Sequence, residues 1–237
     1  MRLFTLLSVA GIACATTAHA ADQMANAAPV AAAETSPFDL AFGVAFVSNY
    51  ISQGATLTEN KPAVQAYIEA SYDMFYAGTW VSNIRAEDVK DAEIDLYAGI
   101  RPSFGALSLD FGYVHYYYPK DPNNYGELYA KGSYALTEQF SAGAAYYHDV
   151  FVDTDWLDLT ASVSGLPWET SLSGKVGTDF GSQGFDTDKV AWDLGLSRTF
   201  AEVVTVDVRY HDSNYDPGRV VAKLSFDTSW SALQGGQ

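Results

Sequence analysis

From Phe38 onward, large apolar and small or polar residues alternate. In the stretch 38–46, Phe38, Leu40, Phe42, Val44 and Phe46 share one face, with Asp39, Ala41, Gly43 and Ala45 on the other. That is the period of two expected of a strand with two unlike faces. Similar segments follow at 63–72, 76–85, 92–101, 107–117, 127–134, 140–148, 157–163, 169–178, 190–197, 204–210 and 220–226, which predicts twelve strands. Turn chemistry separates them, as in Pro102-Ser103-Phe104-Gly105 and Gly165-Leu166-Pro167-Trp168. The third segment reads with Tyr76, Gly78, Trp80 and Ile84 on its apolar face and Thr79, Val81, Asn83 and Arg85 opposite. In the seventh, Ala144-Ala145 and Tyr146-Tyr147 suit either register.

A chain of hairpins either packs two sheets together or closes one sheet into a barrel. Alternation alone does not separate these, but three features favour a membrane barrel over a secreted sandwich. The polar face carries Gly, Ala, Ser and Thr beside its charges, as a confined lumen requires. Aromatic residues gather at strand ends (Tyr50, Tyr72, Phe75, Tyr76, Tyr116 to Tyr118, Tyr146, Tyr147, Tyr210), where interfacial girdles sit. Connections after even strands are short, about four residues, and those after odd strands longer, as in outer-membrane barrels. The expectation is an all-β fold: a transmembrane antiparallel up-and-down β-barrel of twelve strands, with both termini in the periplasm.

The flanks set the compartment. Met1-Arg2, an apolar run from Leu3 to Ala13 and Ala18-His19-Ala20 read as a signal peptide over 1–20, cleaved after Ala20. The single cysteine, Cys14, lies within it, so the mature chain cannot rest on disulfides. Residues 21–37, rich in Ala with Pro29 and Pro37, read as a disordered leader. The barrel is then expected over 38–227 and a periplasmic tail over 228–237. The aromatic end of the last alternating stretch, Phe226, matches the assembly signal of outer-membrane strands, although a tail follows it.

Charge narrows the partners. The chain has 29 acidic and 13 basic residues, a formal net charge of −16. Such a balance disfavours nucleic acid and anionic lipid. The expected partners are outer-membrane lipid, small solutes or ions, and the barrel-assembly machinery during biogenesis.

The run 49–84 contains Gln53-Gly54, Pro62-Ala63-Val64-Gln65 and Phe75-Tyr76-Ala77-Gly78-Thr79-Trp80-Val81-Ser82-Asn83-Ile84. It resembles the signature of the TorF family of exported proteobacterial porins, with Gly54, Pro62, Gly78, Trp80 and Asn83 as motif positions. Glu93-Ile94-Asp95-Leu96-Tyr97-Ala98-Gly99 and Tyr116-Tyr117-Tyr118-Pro119 are similar to further blocks of that family. The resemblance implies an outer-membrane barrel with a channel role and names no solute. Family members often carry Arg-Gly where this chain has Gln53-Gly54, which would remove one positive charge from the pore mouth.

The polar-face positions carry the candidate chemistry. Glu69, Arg85, Glu93, Asp95, Arg101, Asp110, Glu127, Lys131, Asp158, Glu169, Lys175, Asp193, Asp207, Arg209 and Lys223 are the expected lumen lining. In an open channel these walls set ion preference, and the acid excess predicts a mild preference for cations. In a narrow barrel the same groups pair and plug the lumen, leaving a non-conducting structural or surface-interaction protein. Loops this short are expected to provide no inward-folded constriction. His115, His148 and His211 end odd strands, and the repeated Tyr-His-Asp is read as interfacial rather than as a metal site. No Gly-x-Ser-x-Gly nucleophile motif occurs, so neither catalysis nor a cofactor is expected.

Overall fold

The computed structural model describes residues 37–86, 89–120, 125–180 and 189–235. The signal peptide, nearly all of the leader and the last two residues of the tail lie outside them. Twelve long strands form one closed antiparallel barrel. They are β1 Phe38–Val47, β2 Ala63–Tyr72, β3 Phe75–Ala86, β4 Val89–Ile100, β5 Leu107–Tyr117 and β6 Tyr125–Ala135. The second half holds β7 Phe140–Asp149, β8 Thr154–Leu166, β9 Thr170–Phe180, β10 Val190–Phe200, β11 Val204–Ser213 and β12 Arg219–Ser229. Each strand pairs with its sequence neighbours, and β1 meets β12 from Ala41↔Ser229 to Val47↔Lys223. Closure matters because an open edge would leave a row of backbone donors and acceptors unpaired.

Closure also assigns the faces. Val64, Ile68, Leu96, Leu159, Leu194, Leu196, Val208 and Leu224 stand exposed on the outside. Their neighbours Gln65, Glu69, Asp95, Asp158, Asp193, Arg209 and Ser225 are buried within. The seventh strand, ambiguous in sequence, turns Ser141, Ala145, Tyr147 and Asp149 inward.

The third strand corrects its sequence reading. Tyr76, Gly78 and Trp80 face the lumen, while Phe75, Val81 and Asn83 face out. Register dictates this: Trp80 pairs with the inward Tyr67, and Thr79 with the outward Ile68. The expected aromatic girdle divides in the same way. Tyr72, Phe75, Tyr117, Tyr146 and Tyr210 are outside, whereas Tyr50, Tyr76, Tyr116 and Tyr147 are buried in the interior.

Inside, large side chains lie over cross-strand glycines. Tyr97 covers Gly78, Tyr76 covers Gly99, Tyr129 covers Gly112, and the Arg209 guanidinium covers Gly195. The concave face of a barrel is crowded, and a glycine leaves room for a neighbouring ring to lie flat. The interior therefore has two unlike walls. From β3 to β8 it carries Tyr76, Trp80, Tyr97, Val114, Tyr116, Tyr129, Tyr147 and Trp156; from β9 through β12 it carries small residues and ion pairs.

The last strand runs past its expected end at Phe226 to Ser229, because Thr228 and Ser229 still pair with β1. A short helix, α1 Trp230–Gln234, follows. It is no free overhang: the Ser231 backbone N–H and hydroxyl both donate to the Asp39 carboxylate, tying the tail to the first strand.

At Gly78 a β-carbon would press on the Tyr97 phenol and the Ile68 carbonyl. Replacing Gly78 with Val should lower the stability of the folded barrel by about 1–3 kcal/mol, the range of an overpacked core. A urea titration followed by gel migration of unheated samples reads the shift.

Candidate functional site: the lumen and its mouth

The largest departure from expectation is the connection between β1 and β2, residues 48–62. It folds inward, contrary to the expectation that no loop would. Asn49, Tyr50, Ile51 and Thr58 within it are buried. A two-residue hairpin pairs Ile51↔Thr56 and Ser52↔Ala55, turning through Gln53 and Gly54, both with positive φ. Asn49 Oδ1 accepts from the hydroxyls of Thr56 (2.7 Å) and Thr58 (2.9 Å), which holds the loop together internally.

The loop reaches both walls. On one side the Tyr50 ring meets Trp80 edge-on at 5.6 Å, and its hydroxyl donates to Glu93 Oε1 at 2.8 Å. On the other, Gly54 packs against Ala191 and Ser213, where a β-carbon would collide with both. The Thr56 N–H donates to Asp216 Oδ2 at 3.0 Å. Strands β3 and β4 lie across the twelve-stranded ring from β10 and β11, so the loop spans the mouth. Beneath it remains a recess of about 10 Å³, the space of one water, beside Lys175, Asp193 and His211. A loop rich in large apolar residues (Tyr50, Ile51, Leu57) was the available signal, since such residues seek burial.

The candidate lining residues fall into three groups. Towards the end that holds the termini, Arg101 Nη1 and Nη2 donate to the two Glu69 oxygens at 2.5 and 2.9 Å. Its Nε reaches Asp110 at 3.4 Å, and the guanidinium lies over the Tyr76 ring at 3.6 Å. Tyr76 donates to Asp110 and shares a hydrogen bond with Tyr129. Lys131 sits over the rings of Tyr129 and Tyr147.

The second group crosses β8 to β12. Lys175 pairs with Asp158 at 3.3 Å, and Trp156 donates to the same carboxylate at 2.8 Å. Arg209 bridges Asp193 at 2.6 Å and Asp207 at 3.0 Å, with two further bonds to Ser173. Lys223 lies across from Asp207 in register. The third group is acidic and sits under the loop. Glu93 accepts from Tyr50 and, at 2.9 Å, from Tyr118; Glu127 accepts from Tyr116 at 2.7 Å. Asp95, fully buried, has no hydrogen-bond partner on either oxygen.

Two expected lining residues do not line the lumen. Arg85 stands on the outward parity at the loop end of β3 and points to Glu59 at 3.9 Å, because register reverses the facing of that strand. Glu169 lies in the tight turn Pro167–Glu169, with positive φ, and pairs in the open with Arg198 at 3.0 Å. The histidines do not converge. His115 meets Phe151 edge-on, His148 contacts Asp155, and His211 is buried inside. Among the described residues no three side chains are grouped to hold a metal ion. Of the motif positions, Gly78 and Trp80 shape the interior and Gly54 the mouth. The Asn83 amide accepts from the Val64 N–H and donates to the Pro62 carbonyl, pinning the loop's exit.

A family model described as a bacterial protein of unknown function, Gcw_chp, matches residues 31–232. The chain belongs to the Gcw_chp family. The matching model thus carries this name and not TorF. No curated protein matches the chain in sequence. In fold it is similar to the KdgM porin, at 11% identity and TM-score 0.59, covering 79% of this chain and 98% of that one. The KdgM porin in complex with disordered oligogalacturonate matches at 11% identity and TM-score 0.54, covering 81% of this chain and 97% of that one. An outer membrane channel, COG4313 from Pseudomonas putida F1, matches at 9% identity and TM-score 0.51, covering 85% and 98%. At these identities the likeness concerns the fold: the Gcw_chp barrel has the architecture of porins.

Removing the Arg101 head should unpair two carboxylates at once. Arg101→Ala is expected to destabilise the barrel by about 3 kcal/mol, the low end for breaking a buried pair, since part of Arg101 meets solvent. Arg101→Lys should recover less than half of that, because an ammonium cannot reproduce the two-pronged contact. Urea midpoints of the three proteins decide this.

The loop's tether to Asp216 has a defined pH dependence. Hydrogen bonds from Arg219 hold the Asp216 carboxyl below the ordinary carboxylate range. A depressed carboxyl stabilises the fold above its unfolded value of about 3.9 and loses that contribution as pH falls through the lower folded value. Amide exchange at Thr56, compared with exchange in the strands, should therefore quicken selectively below about pH 4.

Proposed function

We propose that this barrel sits in the bacterial outer membrane and passes small ions or hydrophilic solutes by passive diffusion, with loop 48–62 as its constriction. The single observation that carries this reading is the contrast between faces: an apolar outer wall surrounds an interior of charges, hydroxyls and glycines. An outer face of Val, Leu and Phe suits lipid, and a polar interior suits water and ions. The motif resemblance to TorF porins and the fold of the structural relatives support the same role. In this reading residues 1–20 are the signal peptide, 21–37 an unstructured leader, and 38–227 with its short extension the membrane domain. Lipid and the assembly machinery are its partners, and no catalytic step is assigned to it.

The lumen disfavours one kind of cargo. The KdgM porin complex holds oligogalacturonate, a polyanionic sugar. Here Arg101, Lys175 and Arg209 are committed to carboxylates, and the acid excess gathers under the loop. Cations and neutral solutes fit this field better than polyanions.

A second reading, a plugged barrel acting as a structural or surface-interaction protein, is favoured by the loop crossing the mouth and by the burial of the charged lining. Single-channel recording separates the two. The refolded mature protein should give small cation-preferring steps in a planar bilayer. A variant with residues 51–57 replaced by a short Gly-Ser linker should give steps several-fold larger. Insertion of both proteins without current, each migrating as a folded barrel, would establish the plugged reading. The lipid-facing assignment has its own check: Leu194→Arg should cost about 2–4 kcal/mol in bilayers if that position meets the hydrocarbon midplane.

A further inference from the structure

The connection between β7 and β8, residues 150–153, turns outward where loop 48–62 turns in. Both lie at the end of the barrel opposite the start of β1. Val150, Phe151 and Val152 are three consecutive large apolar residues, all exposed, with Phe151 at 49%. The Phe151 ring meets His115 of β5 edge-on, with centroids 6.2 Å apart. His115 stands on the outward parity of β5, because Val114 and Tyr116 on either side of it are buried inside. To reach it the chain crosses β6 at Gly126, whose carbonyl accepts from the Val150 N–H at 3.0 Å. Gly126 offers no side chain on the outer face, and the Tyr113 phenol packs over it. The loop therefore leans sideways across the outer wall, on the face that also carries the exposed Tyr117 and Leu128. Its backbone is bonded more completely than water requires. The N–H groups of Phe151 and Val152 both donate to Asp149 Oδ1, at 2.8 and 3.1 Å, and that of Asp153 donates to the Asp149 carbonyl at 2.9 Å. With Val150, all four loop N–H groups have protein acceptors. In water they could bond solvent; against hydrocarbon each must be met within the protein.

We propose that loop 150–153 is a membrane anchor, with Val150, Phe151 and Val152 inserted into the lipid leaflet that surrounds the mouth. The occupant is lipid because the patch continues the apolar outer wall without a break and its N–H groups need nothing from solvent. The inference rests on the membrane placement of the barrel and not on conduction; a plugged barrel is anchored in the same way. Carboxylates limit the depth. Asp153 is exposed at the end of the loop, and Asp155 stands on the outward parity of β8. Asp155 is not bare: the Tyr146 hydroxyl donates to it at 2.5 Å, and His148 Nδ1 lies 3.0 Å away. Charged groups are costly at the bilayer midplane and tolerated near the headgroups. The loop thus rests where headgroups meet acyl chains, and it holds the mouth at a fixed height in the membrane.

Residues 21–237 contain no cysteine, so a single one introduced there can carry a polarity-sensitive fluorophore. The labelled Phe151→Cys protein is refolded into phosphatidylcholine vesicles and exposed to two quenchers, nitroxide-labelled phospholipid and aqueous iodide. Its emission should be lost to the lipid quencher, most strongly when the nitroxide is close to the headgroup, and should resist iodide. Leu194→Cys, further down the outer wall, should be quenched most from a deeper nitroxide. Glu138→Cys, in an exposed turn at the other end, should yield to iodide. Val152→Cys is a second reporter on the same loop if Phe151→Cys does not migrate as a folded barrel in unheated samples. Loss of the loop label to iodide, with Leu194→Cys still quenched from the lipid, would overturn the anchor and leave the membrane placement standing. Protection of the loop label from both quenchers would also overturn it, as expected if a second copy of the chain covers the patch. Absence of lipid quenching at Leu194→Cys as well would remove the membrane placement and the anchor with it.

Discussion

The pairing of β1 with β12 is the constraint on which everything else depends. Twelve antiparallel hairpin-linked strands leave two raw edges, and only their union gives every ladder donor an acceptor. Once the ring is closed, each strand has an inside and an outside, and alternate residues have no other place to go. The tail reinforces the seam, since Ser231 fastens to Asp39 at the start of β1.

Closure at twelve strands creates an interior too wide for an aliphatic core and too narrow to be left to chance. The chain fills it asymmetrically. On β3 to β8, Tyr76, Tyr97 and Tyr129 lie over cross-strand glycines, and the hydroxyls of Tyr76 and Tyr116 donate to Asp110 and Glu127. On β8 to β12, Lys175 pairs with Asp158, and Arg209 pairs with both Asp193 and Asp207. Loop 48–62 then bridges the mouth by placing Tyr50 between the aromatic wall and Glu93, and Gly54 against the opposite wall. Between these features the carboxyl groups of Glu93, Asp95 and Glu127 lie buried under the loop.

Much of the barrel was legible one strand at a time. Glu93, Asp95, Asp158, Asp193 and Arg209 are interior because each lies between two apolar residues of the outer face, and a period-two pattern admits no other assignment. The third strand was misread because Tyr76, Gly78 and Trp80 look like an apolar face, whereas a barrel interior accepts aromatic rings when glycines make room for them. Arg85 was misplaced with it. Glu169 was misplaced for a different reason: two consecutive positive-φ residues, Trp168 and Glu169, make a tight turn where strand alternation was extrapolated.

By itself, the sequence determined the number of strands, their approximate limits, and the division of nearly every one into an apolar and a polar face. These are local properties, set by the pleat and by turn residues within each hairpin. Only the tertiary structure decided which charges pair, that the first loop bridges the mouth, and that Asp95 is left without a partner. Those outcomes depend on strands as distant as β3 and β10 facing each other across the lumen, a proximity created by closure of the ring and absent from any stretch of the chain.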